Sequence, residues 1–237
     1  MTEMRPRFPW LLTVLCAAAL ALLVALGVWQ VQRLAWKEGL IAQSEAAAGQ
    51  PPALLADVLR APDPEFRRAL VLCRGLPTAP FVELQSIHDG QPGVRLISAC
   101  AAEGIGQTFL VDRGFVPDAV SERPRVMAST LPLSLLVELR RTPAPSRMAP
   151  QPSAQGRFYA RDAAAMARAL DATEPSPFTL FALVSTNPEV AALNASAPPA
   201  AFSNNHLGYA LTWFGLALAL AGFYVAVLVR RYRKTTP

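Results

Sequence analysis

Two stretches decide the reading of this chain: FPWLLTVLCAAALALLVALGVWQVQ, from Phe8 to Gln32, and LGYALTWFGLALALAGFYVAVLV, from Leu207 to Val229. Neither carries a charged side chain, and Pro9 stands at the start of its run, where a helix tolerates proline. A helix rises about 1.5 Å per residue and the hydrocarbon core of a bilayer is about 30 Å thick, so roughly 20 apolar residues cross it. Both runs reach that length. The expected organisation of the 237 residues is a tail at 1–8, a membrane helix at 9–32, a polar domain at 33–206, a second membrane helix at 207–229 and a basic tail at 230–237.

The flanks predict an orientation. Arg5 and Arg7 precede the first run, and Arg230, Arg231, Arg233 and Lys234 follow the second, whereas no Lys or Arg lies between Arg168 and His206. Short segments rich in Lys and Arg stay on the cytoplasmic side, so both termini are expected there and the central domain outside. Arg33 and Lys37 pull the other way, outnumbered by the tail. A signal peptide has an apolar region of about 7–15 residues and a small-x-small cleavage site. Here apolar sequence continues to Val28 and Trp29 without such a site, and Thr13-Val14-Leu15 before Cys16 is a poor lipoprotein box. An uncleaved anchor is expected. Too few residues precede it for a mitochondrial transit peptide, which points to a bacterial inner membrane.

The formal charge of +5 suggests nucleic acid only until its distribution is examined. Between Glu38 and Phe202 there are 14 arginines and 16 acids, so the positive excess belongs to the membrane flanks, where anionic lipid is the natural partner. No basic stripe with interleaved aromatics occurs, and nucleic-acid binding is not expected. Of three cysteines, Cys16 reads as a small apolar residue within the first span. Cys73 and Cys100 lie in separate predicted strands; an oxidising compartment permits a bridge, but free buried cysteine is the favoured expectation. There is no C-x-x-C.

Helical spacing of Leu34, Leu40 and Ile41 predicts that the first helix continues to about Glu45. A short helix over Ala53–Leu59 is expected after Pro51-Pro52. Ala69–Cys73, Phe81–Ile87, Val94–Ala99 and Thr108–Val111 read as strands, with His88-Asp89-Gly90 and Glu103–Gly106 as turns and Pro117 closing the series. Leu135–Leu139 and Phe178–Ser185 are further strands, and Asp162–Leu170 a short helix. Thr142–Pro152 and Ala195–Ala201 read as extended connectors. The fold class expected is a membrane protein of α+β type, two transmembrane helices flanking a mostly antiparallel β domain with one or two short helices.

Few residues offer chemistry. With only His88 and His206 there is no His-rich metal site and no H-E-x-x-H; no phosphate loop or G-x-S-x-G elbow occurs either. No enzyme activity is expected. His88 reads as a solvated turn residue. His206 stands at the mouth of the second span, where Ser203 or Asn204 is expected to cap the helix, and a neutral imidazole there suits a haem iron or another transition metal. Ala210 and Trp213 share its face. Tyr209, Trp213, Leu216, Leu220 and Phe223 form a bulky stripe; Gly208, Thr212, Gly215, Ala219, Gly222 and Ala226 form a small one, expected to receive the first helix. That helix brings Trp29, Gln30, Arg33, Trp36 and Lys37 to the same depth, with Arg33 in reach of both indoles. A generic interfacial belt accounts for these residues more readily than a ligand site does.

The two spans resemble the Surfeit locus protein 1 family of cytochrome c oxidase assembly factors. The resemblance rests on Leu26-Gly27-Val28-Trp29-Gln30-Val31-Gln32-Arg33-Leu34-Ala35-Trp36-Lys37 and on Asn204-Asn205-His206-Leu207-Gly208-Tyr209-Ala210-Leu211-Thr212-Trp213-Phe214. Asp112-Arg113-Gly114-Phe115-Val116-Pro117 is similar to a third family element, with Phe115 where tryptophan is usual. What the resemblance implies is biogenesis of haem–copper terminal oxidase: haem a as a transiently held cofactor, His206 as iron ligand, and a pocket shaped by Tyr209, Trp213, Arg33 and Trp29. The implied partners are the oxidase catalytic subunit, haem a synthase and membrane lipid. Two rivals stand beside it: an assembly scaffold without cofactor, and a membrane-tethered thiol/disulfide protein using Cys73 and Cys100.

Overall fold

The structure, a computed structural model, describes residues 8–145, 147–154, 156–173, 175–198 and 204–233. The chain divides into two compact units, one built from its two ends and one from residues 43–199.

The first unit is a pair of antiparallel helices, α1 (Trp10–Ala48) and α4 (His206–Arg233). Only 6% of the most apolar window of each is buried, so these are not core helices of a soluble fold. Apolar side chains left bare around a whole helix need lipid, and the protein is a membrane protein with two candidate spans. Three contacts set the helix pairing. Thr13 Oγ1 and Tyr224 Oη are 2.6 Å apart, Phe214 lies against Gly27, and Gln30 meets His206. A methyl group at Gly27 would fall 2.6 Å from Phe214 Cε1, so the ring needs the glycine notch.

The contact face corrects one expectation. Gly208, Gly215 and Gly222 have open space where a Cβ would stand, so the small stripe is not the face that receives α1. The buried small residues are Ala210 and Ala217, on a face with His206, Phe214 and Tyr224. The notch for the largest ring comes from the other helix, which removes the need for glycine on α4.

The second unit is a seven-stranded sheet with two short helices. Its strands are β1 (Ala53–Leu54), β2 (Arg68–Arg74), β3 (Val82–His88), β4 (Gln91–Ala101), β5 (Thr108–Pro117), β6 (Pro132–Arg141) and β7 (Pro175–Ala182). They are ordered β1-β2-β6-β7-β5-β4-β3. The helices are α2 (Leu55–Arg60) and α3 (Ala163–Ala169). β2–β6, β3–β4, β4–β5 and β6–β7 are antiparallel, as expected, while β1–β2 and β5–β7 run parallel. The helix expected from Ala53 starts two residues later, because Ala53 and Leu54 pair with Ala69 and Leu70. Asp89 (φ 49°) and Gly90 (φ 77°) make the predicted two-residue hairpin turn. Asp162 caps α3, its carboxylate accepting the Ala165 N–H at 2.9 Å.

Three strands separate β2 from β4 in the sheet order, yet Cys73 pairs with Ala102 and is disulfide-bonded to Cys100, with Cα atoms 5.6 Å apart. The sheet therefore curls back on itself. This overturns the expectation of free cysteines: strands read one at a time do not show that curling brings them together. Ala69, Val71, Leu135, Val137, Phe109 and Leu180 fill the interior around the bridge, and Met166 and Ala167 of α3 cover Ile97 and Leu110 on the opposite face.

Candidate functional site

α4 begins at His206. Of its two expected caps, Ser203 lies outside the described residues, and Asn204 does not cap: its Oδ1 is buried with no hydrogen-bond partner. The first turn closes through backbone instead, Tyr209 N–H donating to Asn205 O at 3.3 Å, with Thr212 Oγ1 donating to Gly208 O at 2.9 Å.

The His206 ring is half-buried and held from α1. Its Nδ1 is 2.6 Å from Gln30 Oε1, and Gln30 itself is buried. The Trp29 indole stands nearly perpendicular to the imidazole, at 82° and 6.5 Å between centroids. His206, Gln30 and Trp29 thus form one cluster. Trp213, seven positions along α4 and about 10 Å further down the helix, is half-buried with its indole N–H buried and unpartnered.

Two expected members stand apart. The Arg33 guanidinium sits 3.9 Å from the centroid of Trp36. Of the two indoles in its reach, the one a turn onward takes it. Tyr209 is more than half exposed and lines a shallow depression with Asn204, Asn205, Gly208 and Thr212. Gln30 is the residue that the sequence placed at this depth without giving it a role in the site. Its signal was present: a neutral amide inside an otherwise apolar span lacks water to bond to and needs a protein partner.

In the sheet unit, Asp112–Pro117 is internal architecture. Arg113 is fully buried and donates to Pro77 O (2.9 Å), Thr186 Oγ1 (3.3 Å), Ser98 Oγ (3.3 Å), Ala79 O (3.4 Å) and Asn187 Oδ1. Burial pulls its pKa down to about 10, against a small opposing effect of Glu189, so it remains charged at neutral pH. Buried Asp112 accepts from Arg95 Nε at 2.8 Å and Arg161 Nη2 at 2.7 Å. At Gly114 (φ 132°) a side chain would collide with the Asn194 carbonyl, and Phe115 exchanges backbone hydrogen bonds with Asn194. His88 is not the solvated turn residue expected: it ends β3, packs against Phe115 at 5.3 Å, and its Nε2 is 3.2 Å from Asn194 Nδ2.

The described residues hold no cluster of three His, Cys, Asp or Glu side chains. Among them His206 offers a single imidazole. A bare transition-metal ion draws about three or four ligands from its protein, whereas a macrocyclic iron brings its equatorial nitrogens with it. One imidazole with the Trp29 indole against it, and the orphaned Trp213 N–H about 10 Å along α4, fits the latter.

Residues 17–218 match the model of the SURF1 family. Surfeit locus protein 1 of Mus musculus is 28% identical over 242 residues, covering 94% of this chain and 76% of the mouse protein. The Homo sapiens protein of the same name is 26% identical, covering 86% and 73%, and the SURF1-like protein of Drosophila melanogaster 29%, covering 87% and 74%. The chain belongs to the SURF1 family.

Proposed function

We propose that this protein is an assembly factor for haem–copper terminal oxidase, holding haem a at the outer end of its two membrane helices for insertion into the catalytic subunit. The observation that carries the reading is the His206–Gln30–Trp29 cluster: one imidazole, braced by a neighbouring helix, in a chain of this family. Haem a when bound supplies the iron and its equatorial ligands. His206 offers a ring nitrogen, Trp29 a flat apolar wall, and Trp213 a donor for a polar group on the macrocycle edge. Arg33, Lys37 and Tyr209 lie at the depth where headgroups or propionates are met. The protein acts as a carrier, not an enzyme.

The placement proposed is a bacterial inner membrane with both termini cytoplasmic and the sheet domain periplasmic. The basic tail after α4 supports it. So does the Cys73–Cys100 bridge, since disulfides persist in oxidising compartments. Both cysteines are buried, and a bridge closed to attacking thiolates fits a structural role better than redox exchange. The partners are the oxidase catalytic subunit and haem a synthase. The test is purification from cells that make haem a, comparing wild type with His206→Ala. Near-stoichiometric haem a in the wild type, lost in the variant, supports the reading. Equal, substoichiometric haem in both leaves the scaffold.

A further inference from the structure

We infer that Gln30 is a positioning residue that selects which nitrogen of His206 is available to a ligand. The inference rests on the proposed haem site. The atom of Gln30 that meets the ring is the amide oxygen, 2.6 Å from Nδ1. An amide oxygen only accepts, so in the neutral ring this contact puts the proton on Nδ1 and leaves Nε2 its lone pair. Imidazole in water prefers the opposite arrangement, with the proton on Nε2. Gln30 therefore reverses the intrinsic preference and leaves unprotonated the nitrogen farther from the backbone.

Three features make this a held state. Gln30 is 8% exposed, so no bulk water competes for its oxygen. Acceptor and donor come from different helices, 176 residues apart in sequence, and their meeting depends on the same pairing that seats Phe214 at Gly27. The Trp29 ring packs against the imidazole in a T-shaped arrangement, 6.5 Å between centroids. An outer partner of this kind fixes ring orientation and raises the basicity of the free nitrogen, and its loss costs a metal site about 10–100-fold in affinity.

The experiment uses full-length protein in detergent with 15N-labelled histidine, where His206 and His88 are the only signals. The apo-protein should show Nδ1 of His206 protonated and Nε2 bare. Gln30→Leu should move the proton to Nε2, and Gln30→Glu, which keeps an acceptor, should hold it on Nδ1. Haem a added to the same samples should bind Gln30→Leu about 10–100-fold more weakly than wild type, with Gln30→Glu recovering most of the loss. A wild-type spectrum with the proton on Nε2 would mean that the amide is turned to donate, and would overturn the inference. So would a Gln30→Leu variant with unchanged tautomer and affinity. If the tautomers behave as expected but wild type takes up no haem a, the haem reading falls while the Gln30–His206 assignment stands.

Discussion

Reducing the Cys73–Cys100 bridge should destabilise the sheet domain selectively. The bridge closes a loop with a sequence separation of 27. Chain entropy for such a loop, −2.1 − 1.5R ln n, is about −12 cal/mol/K, or about 3.5 kcal/mol at 25 °C. Urea unfolding of oxidised and reduced protein compares identical side chains, so no cavity enters the difference. With a slope of about 2 kcal/mol/M, the reduced midpoint should lie roughly 1.5–2 M lower. Trp10, Trp29, Trp36 and Trp213 all belong to the helices, so indole fluorescence is blind to this transition. Far-ultraviolet circular dichroism, where the sheet absorbs, is the suitable probe. Changing both cysteines to alanine should cost somewhat more, because two buried sulfurs are also removed. Coincident midpoints within about 0.3 M, or three free thiols in unreduced protein, would refute the reasoning.

At the helix pair, Gly27→Val should break the seat of Phe214 and abolish haem uptake with the sheet domain's dichroism intact, whereas Gly215→Val, which meets open space, should leave uptake unchanged. Arg113→Met should cost on the order of 3–5 kcal/mol in urea unfolding, since it strands buried acceptors at Ala79, Ser98 and Asn187; Arg113→Lys should restore only part, because one ammonium cannot replace the guanidinium fork. Glu65 has a pKa raised chiefly by burial, opposed by the Arg141 N–H, which donates to both carboxylate oxygens at 3.0 Å. Its protonated form is thus favoured by folding, and the associated stability, complete below its ordinary 4.5, is lost as pH rises through the higher folded value. Melting temperatures of Glu65→Gln should therefore show less decline, or more gain, than wild type from pH 4 to 7.

Much of the fold was legible where local chemistry decides it. Uncharged length gave both spans, Asp89-Gly90 gave the hairpin, and the β-favouring run Ala69–Cys73 gave a strand, whose alternating burial the structure adds. What was hidden depends on distant segments. The parallel pairing of β5 with β7 is made only after the chain has passed through β6 and α3, and no local pattern records it. The small residues of α4 recur every three or four positions and mark a face; the true contact face was chosen by Thr13, Gly27 and Gln30 on the other helix. The place of His206 at the mouth of a span was readable. Its orientation was not, because that belongs to Gln30.

The two polar contacts of the helix pair act together as a ruler. Thr13 and Gln30 are 17 positions apart on α1, Tyr224 and His206 18 apart on α4. Seventeen positions are about 25 Å of helix, nearly the thickness of the hydrocarbon layer. A single residue inserted between Tyr224 and His206 would turn the imidazole by about 100° and shift it about 1.5 Å, while leaving every residue of the cluster in place in the sequence. Spacing along α4 is therefore as much a part of the proposed site as the histidine, and a deletion near the phenol should read out at the opposite membrane surface.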